Sequence, residues 1–426
     1  MDAFTIQLTT IAHGGAALGR HEERVVFVPY GLPGETVRAE IIMDKGRYAF
    51  ARLVEVVAPS PDRVTPPCPY FGPTGCGGCQ WQHANYAAQL RMKTEIVADQ
   101  LTRVGGIADP VVHPTRSDPT GWAYRNHAQF HPAPGGGLGF QRANSNEVIR
   151  IEPETEDDTS SCPILHPLLA DLYASLDLGA GDALDGLARL SLRAGAETGD
   201  CMLIFEMDDD LPPGLEIDLP VSCVLLLSDG VHVNLIGDNH ITEIVAGHTY
   251  RISAPSFFQV NTPQAARLVQ LTLDYLDLQG DETVLDAYCG VGLFTVPLAE
   301  RAGLVVGIES SPAAVADLLE NTAEYDNVDI IEGAVEAALP ALELDAPFSA
   351  AVLDPPRAGV DRFALDSLIE RQPARLVYVS CDPATLARDA KRLIRGGYHL
   401  VEVQPVDMFP QTHHIESVAL FTWTSQ

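Results

Sequence analysis

Short apolar–polar alternations fill the beginning of this chain. Phe4-Thr5-Ile6-Gln7-Leu8, Arg24-Val25-Val26-Phe27-Val28 and Thr36-Val37-Arg38-Ala39-Glu40-Ile41-Ile42 read as strands, separated by turns at Gly14-Gly15 and Gly31-Leu32-Pro33-Gly34. Closely spaced short strands of this kind predict a small β-barrel over residues 1–57. Tyr86 to Arg103 changes period, with Ala88, Met92, Ile96 and Leu101 near helical spacing. Residues 58–245 read as a mixed α+β central domain. It holds strands at Tyr124–Phe130 and Leu138–Phe140 and buried strands at Leu203–Phe205 and Val224–Leu227. From residue 246 to 426 strands and helices alternate regularly. Strands are expected at Thr283–Asp286, Leu304–Glu309, Val328–Ile331, Ala350–Asp354 and Leu376–Val379. Helices are expected at Pro263–Leu276, from Leu293 to Glu300 and at Pro312–Tyr325. That alternation predicts an α/β fold with a doubly wound, Rossmann-like parallel sheet.

At 426 residues and 46% hydrophobic composition the chain can fill several cores. No apolar run approaches the roughly 20 residues of a membrane helix, and the first residues lack a secretory signal pattern. The expectation is a cytoplasmic protein with no membrane partner and no obligate protein partner. The net charge of −31 argues against a polyanionic ligand. A local basic stripe can survive on an acidic body, however. Much of the acid lies in the loop-like runs Glu152–Asp158 and Met207–Asp210, whereas basic residues recur from Arg20 to Arg63 and from Arg91 to Arg142.

Eight cysteines are too sparse for a disulfide scaffold. Three of them, Cys68, Cys76 and Cys79, fall in one loop rich in Gly and Pro. Their thiolates can converge on a metal centre, with Cys162 best placed by type to supply a fourth ligand. Soft thiolates select zinc or an iron–sulfur cluster, and spacing leaves both open, with His83 a possible zinc ligand. His127 and His131 read as structural histidines.

The C-terminal half carries the chemistry. Asp286-Ala287-Tyr288-Cys289-Gly290-Val291-Gly292 is a glycine turn after a strand, and Glu309 ends the next strand, where ribose hydroxyls are normally held. The third glycine of a dinucleotide fingerprint is missing, which favours S-adenosylmethionine over a nicotinamide cofactor. Asp354-Pro355-Pro356-Arg357 ends another strand, and Ser380-Cys381-Asp382-Pro383 sets a thiol at the end of a further one. Carbon 5 of a pyrimidine is a poor nucleophile. A thiolate adding at C6 activates it, and a base must then remove the C5 proton. Cys381 and Glu416 supply those two roles.

These residues resemble the RNA uracil-C5 (5-methyluridine) methyltransferases. The likeness rests on Phe257-Phe258-Gln259-Val260-Asn261, Leu285–Gly290, Leu353–Arg357, Ser380–Asp389 and His414-Ile415-Glu416. It implies that Cys381 is the nucleophile and Glu416 the base. Gln259, Tyr288, Glu309 and Asp354 would line the methyl-donor site, Asp354 nearest the uracil. It further implies a TRAM (OB-like) RNA-binding barrel and, in the ribosomal-RNA branch, a [4Fe-4S] cluster on Cys68, Cys76, Cys79 and Cys162. The cluster is expected to be structural or to contact RNA. Cys289 is expected to be a packed thiol.

The expected substrate is RNA, with 23S ribosomal RNA favoured. Transfer RNA, or a non-catalytic role in RNA binding or assembly, are the alternatives. Three features depart from the family pattern. The gap between Cys68 and Cys76 is long, Leu293 and Ala334 stand where polar residues are common near the cofactor, and the chain is strongly acidic. The Cys-x-x-x-Cys-x-x-Cys run of radical S-adenosylmethionine enzymes is absent.

Overall fold

This computed structural model describes residues 3–152, 161–176, 185–214, 216–343 and 346–423. Most of the acidic run Glu152–Asp158 therefore lies outside the described residues. The alternating N-terminal segment forms β1 (Phe4–Ile11), β2 (Ala17–His21), β3 (Arg24–Val28), β4 (Thr36–Asp44) and β5 (Tyr48–Ala58), closed into a barrel in the order β1-β2-β3-β5-β4. Ile6, Leu8, Val26, Val28 and Val37 point inward and are buried. Burying each such side chain contributes about 1.5–3 kcal/mol. The barrel core continues through Trp81 and through Met92, Ile96 and Leu101 of α1 (Tyr86–Arg103) to Leu376, Leu386 and Phe421 of the C-terminal unit. The barrel is thus packed into the body of the protein.

The central segment contributes β6 (His127–Pro132), β7 (Leu138–Gln141), β8 (Val148–Arg150), α2 (Pro167–Ala174), β9 (Leu187–Ala194), β10 (Cys201–Met207), β11 (Ser222–Leu226) and β12 (His232–Ile236). These strands form one sheet, ordered β12-β11-β10-β9-β6-β7-β8. The predicted strand at Tyr124 starts instead at His127. Arg125 is diverted to pair with Leu165 beyond Cys162, and its N–H donates to the Ile164 carbonyl at 2.8 Å. A hairpin, β13 (His240–Val245) and β14 (His248–Ser253), joins this sheet to the last unit.

The C-terminal unit is the expected doubly wound sheet. It comprises α3 (Thr262–Leu276), β15 (Thr283–Ala287), α4 (Thr295–Ala299), β16 (Leu304–Glu309), α5 (Pro312–Asn321), β17 (Val328–Glu332), α6 (Val335–Ala341), β18 (Ala350–Leu353), α7 (Arg362–Arg371), β19 (Arg375–Ser380), α8 (Pro383–Arg395), β20 (Tyr398–Val406) and β21 (Glu416–Trp423). The order is β17-β16-β15-β18-β19-β21-β20; the first five are parallel, and β21 runs antiparallel to β19 and β20. Helices α4 and α5 are shorter than their apolar patterns predicted. At the end of α5 the Asn321 amide donates to the carbonyls of Arg251 and Val291, so that turn docks on the hairpin and the glycine loop.

Candidate active site

The carboxyl ends of β15, β16, β18 and β19 open into one cavity of about 960 Å³. Gln259, Tyr288, Glu309, Asp354, Cys381 and Glu416 all line it. These residues come from six separate stretches of sequence, so only the sheet order brings them together. Ligands of open α/β sheets bind at this end because the strand order reverses there.

Each wall is held from below. Gln259 sits between two anchors. Upstream, the buried Arg193 guanidinium donates to the carbonyls of Ser253 and Ser256 at 2.8 and 2.9 Å. Downstream, Asn261 accepts from Gln264 N–H at the start of α3, and its amide donates to Asp118 and to the Met408 carbonyl. After β15 the chain turns sharply. Tyr288 has φ 65°, a left-handed conformation seldom adopted by residues other than glycine, and its N–H donates to the Ile308 carbonyl at 2.9 Å. Gly292 follows at φ 98°, and a Cβ there would come within 2.7 Å of Leu318. The Glu309 carboxylate accepts N–H groups from Gly290, Ser310 and Ser311 at 3.0, 2.7 and 2.7 Å. The Ser310 hydroxyl also donates to Oε1, whereas among the described residues Oε2 accepts only from Gly290, so acceptor capacity remains on Oε2. Cys289 is buried beneath this turn.

Cys381 and Glu416 meet through strand register. Ser380 pairs with Ser417 across the antiparallel β19–β21 ladder, which sets Cys381 opposite Glu416. Asp382, the next residue, caps α8 by accepting from Ala384 and Thr385 N–H at 2.8 and 3.1 Å.

The field in the cavity is unusual for a surface cleft. Burial, followed by the Asp286 charge, pushes Asp354 up to about 7. Burial, followed by Asp354, pushes Glu416 well above the usual carboxylate range. Cys381 rises to about 12, again chiefly through burial, with Glu416 and Asp354 adding to it. Burial also raises Asp382, but hydrogen bonds from His13 and the α8 amides outweigh it and hold that carboxyl down at about 2. Strongly perturbed groups gathered in one cleft mark a functional site.

Two curated relatives match the chain nearly end to end. An uncharacterized RNA methyltransferase of Gloeobacter violaceus is 36% identical over 97% of this chain and 95% of its own length. One of Bacillus cereus is 36% identical over 96% and 94%. Residues 241–423 match the model of the tRNA (uracil-5-)-methyltransferase family. The chain belongs to the RNA uracil-C5 methyltransferase family. Residues 3–54 match the TRAM domain, over the closed barrel. Among solved structures, the tRNA (uracil-54, C5)-methyltransferase of Pyrococcus abyssi, determined with S-adenosyl-L-homocysteine, shares the fold with a TM-score of 0.76. It is 26% identical, and the match covers 98% of this chain and 99% of that one.

Cavity walls to which the sequence reading assigned no role include Gly77, Gly78, Gln80, Arg125, Arg357, Thr412 and His414. Leu293 and Ala334, the two apolar departures, also face the cavity. Arg357 follows the Asp-Pro-Pro turn and was legible from that motif. Gly77, Gly78 and Arg125 lie in the central segment and carry no signal of proximity.

The four predicted metal-ligating cysteines, Cys68, Cys76, Cys79 and Cys162, line a second cavity of about 370 Å³. Gly77, Gly78 and Arg125 border both cavities, so the cysteine loop forms part of the active-site wall. Burial raises all four thiols. Among the described residues no three His, Cys, Asp or Glu side chains are grouped tightly enough for a single metal ion. His83 packs against Tyr30 and Phe71, and both its ring nitrogens are buried without a partner. His127 and His131 line no part of the larger cavity. No described helix is long and apolar enough to cross a membrane.

Proposed function

We propose that this protein transfers a methyl group from S-adenosylmethionine to C5 of a uridine in RNA, through a covalent bond between Cys381 and C6. The observation that carries this reading is the placement of Cys381 opposite Glu416 in a cavity shared with Asp354, Gln259, Tyr288 and Glu309. At about 960 Å³ the cavity has the size of a small-molecule site with room to spare. A uridine must leave its stack to enter it, as enzymes acting on bases generally require.

In the proposed sequence the Cys381 thiol gives up its proton to water, the thiolate sulfur adds to C6, and the electron pair of the C5–C6 double bond moves onto C5 and O4. C5 then displaces the methyl group from the sulfonium, and S-adenosylhomocysteine leaves. Glu416 takes the C5 proton, the double bond re-forms, and the C6–S bond breaks to release the Cys381 thiolate. Burial and the neighbouring Asp354 raise the Glu416 carboxyl, which strengthens its carboxylate as a base toward the C5 proton. Glu309, fixed by three amides, would accept ribose hydroxyls of the methyl donor. Gln259, Tyr288 and Asp354 would complete that wall, with Asp354 nearest the uracil.

Cys68, Cys76, Cys79 and Cys162, which line one cavity, would hold a [4Fe-4S] cluster. In such a cluster each thiolate binds its own iron, so the sulfurs surround a cage and do not crowd one ion. When bound, the cluster would cross-link the cysteine loop to the Cys162 segment and stiffen the wall shared with the active site. We assign it a structural or RNA-contacting role.

The cysteine set favours large-subunit ribosomal RNA as substrate. Transfer RNA is the second reading, favoured by the name of the matched family and by the P. abyssi enzyme. The test is methyl transfer from labelled S-adenosylmethionine to total RNA by wild type and Cys381→Ala. Label recovered as 5-methyluridine in large ribosomal RNA, and lost in the variant, is the expected result. Label in transfer RNA selects the second reading, and no transfer by wild type leaves an RNA-binding protein.

A further inference from the structure

The turn that carries the nucleophile is held by the RNA-binding barrel as well as by its own helix. Asp382 Oδ1 caps α8, while Oδ2 faces away from the helix toward His13, on the loop between β1 and β2. His13 Nε2 lies 3.4 Å from that oxygen, and Arg357 Nε lies 4.0 Å from it. The same barrel loop is wedged against the segment leading to Glu416. Gly15 adopts φ +84°, and a Cβ there would come within 2.6 Å of His413 Cβ. Its carbonyl accepts the Trp81 indole N–H at 3.0 Å. The Trp81 backbone N–H in turn donates to the Gln411 carbonyl at 2.9 Å. One short loop therefore touches the residue after Cys381 and the residues just before Glu416.

We propose that His13 is a positioning residue, holding the Ser380–Pro383 turn through Asp382 so that Cys381 faces the C6 position of a bound uridine. This rests on the functional reading above and deepens it. The barrel is then part of the active-site scaffold as well as a module that binds RNA. A contact of this kind acts on geometry. Small misplacements of a nucleophile are costly in rate, whereas affinity for the rest of the RNA is set elsewhere.

The experiment compares full-length wild type, His13→Ala and His13→Gln on in-vitro transcripts of ribosomal and transfer RNA, using whichever the wild type methylates. His13→Ala should lower kcat on the order of 10-fold, with KM for RNA unchanged. Gln, whose amide N–H can reach the same carboxylate, should restore most of the loss. A readout without RNA is alkylation of Cys381 by iodoacetamide, followed by mass spectrometry. It should run faster in His13→Ala than in wild type and return toward the wild-type rate in His13→Gln, because a released turn exposes the half-buried thiol. Unchanged kcat and alkylation with a raised KM would overturn the proposal and make His13 an RNA contact. So would a loss that Gln does not rescue, or one that follows a fall in melting temperature. If wild type itself transfers no methyl group, the functional reading fails, while the alkylation comparison still tests the anchor.

Discussion

Cys381 and Glu416 stand opposite each other because Ser380 pairs with Ser417 in an antiparallel ladder. The fixed register gives the thiol and the carboxylate one shared position at the mouth of the sheet. Their roles are nonetheless separable. Cys381→Ala should abolish both methyl transfer and the covalent protein–RNA complex. Glu416→Gln should still form the complex, visible on a denaturing gel, while turnover falls by about 10²–10⁴-fold. Absence of the complex in Glu416→Gln would mean that Glu416 acts before addition.

Asp354 carries a stability cost that depends on pH. Its carboxyl is raised to about 7 in the folded protein, against about 3.9 in an unfolded chain. Below about pH 4 both states hold the proton and the group is neutral toward folding. Between about 4 and 7 only the folded state holds it, so the stability associated with this group falls as pH rises through that window. Asp354→Asn should therefore melt at a higher temperature than wild type at pH 8. The difference should vanish near pH 4. Equal melting temperatures at both pH values would contradict the assignment.

Lys93 and Asp407 form a fully buried ion pair, 2.5 Å apart, that ties α1 to the segment after β20. Lys93→Met should cost about 3–5 kcal/mol in urea unfolding, because the carboxylate is left buried without its partner. Replacing both by apolar residues of similar volume should recover much of that loss.

The cysteine cavity makes a prediction independent of methylation. Anaerobic reconstitution of the intact chain with iron and sulfide should yield four irons per protein and the visible absorption of a cluster. Single Cys→Ser changes at Cys68, Cys76, Cys79 or Cys162 should lower that yield, whereas Cys201→Ser should not. Equal iron retention in all five variants would remove the cluster from the account.

Local pattern settled a large part of this protein. Period-two runs and glycine turns specified the barrel strands, and strand–helix alternation specified the C-terminal sheet, because burial of one face imposes those periods on any sequence. The residues that line the cavity at Asp354, Cys381 and Glu416 were legible for a related reason. Asp354 and Cys381 end apolar strands, and Glu416 belongs to a short motif, so residue type and local position coincide. Helix ends were less legible: α5 stops at Asn321 because a side chain there docks on distant carbonyls.

What only the tertiary structure decided is who faces whom. The opposition of Cys381 and Glu416 depends on β21 inserting between β19 and β20. The wall built by Gly77, Gly78 and Arg125, and the reach of His13 to Asp382, join residues from the beginning and end of the chain. Such contacts follow from sheet order and from a continuous core. Neither leaves a period along the sequence, because the partners are brought together by packing and not by their spacing. Net charge was uninformative for the same reason: a sum over the chain does not report the field inside one cavity.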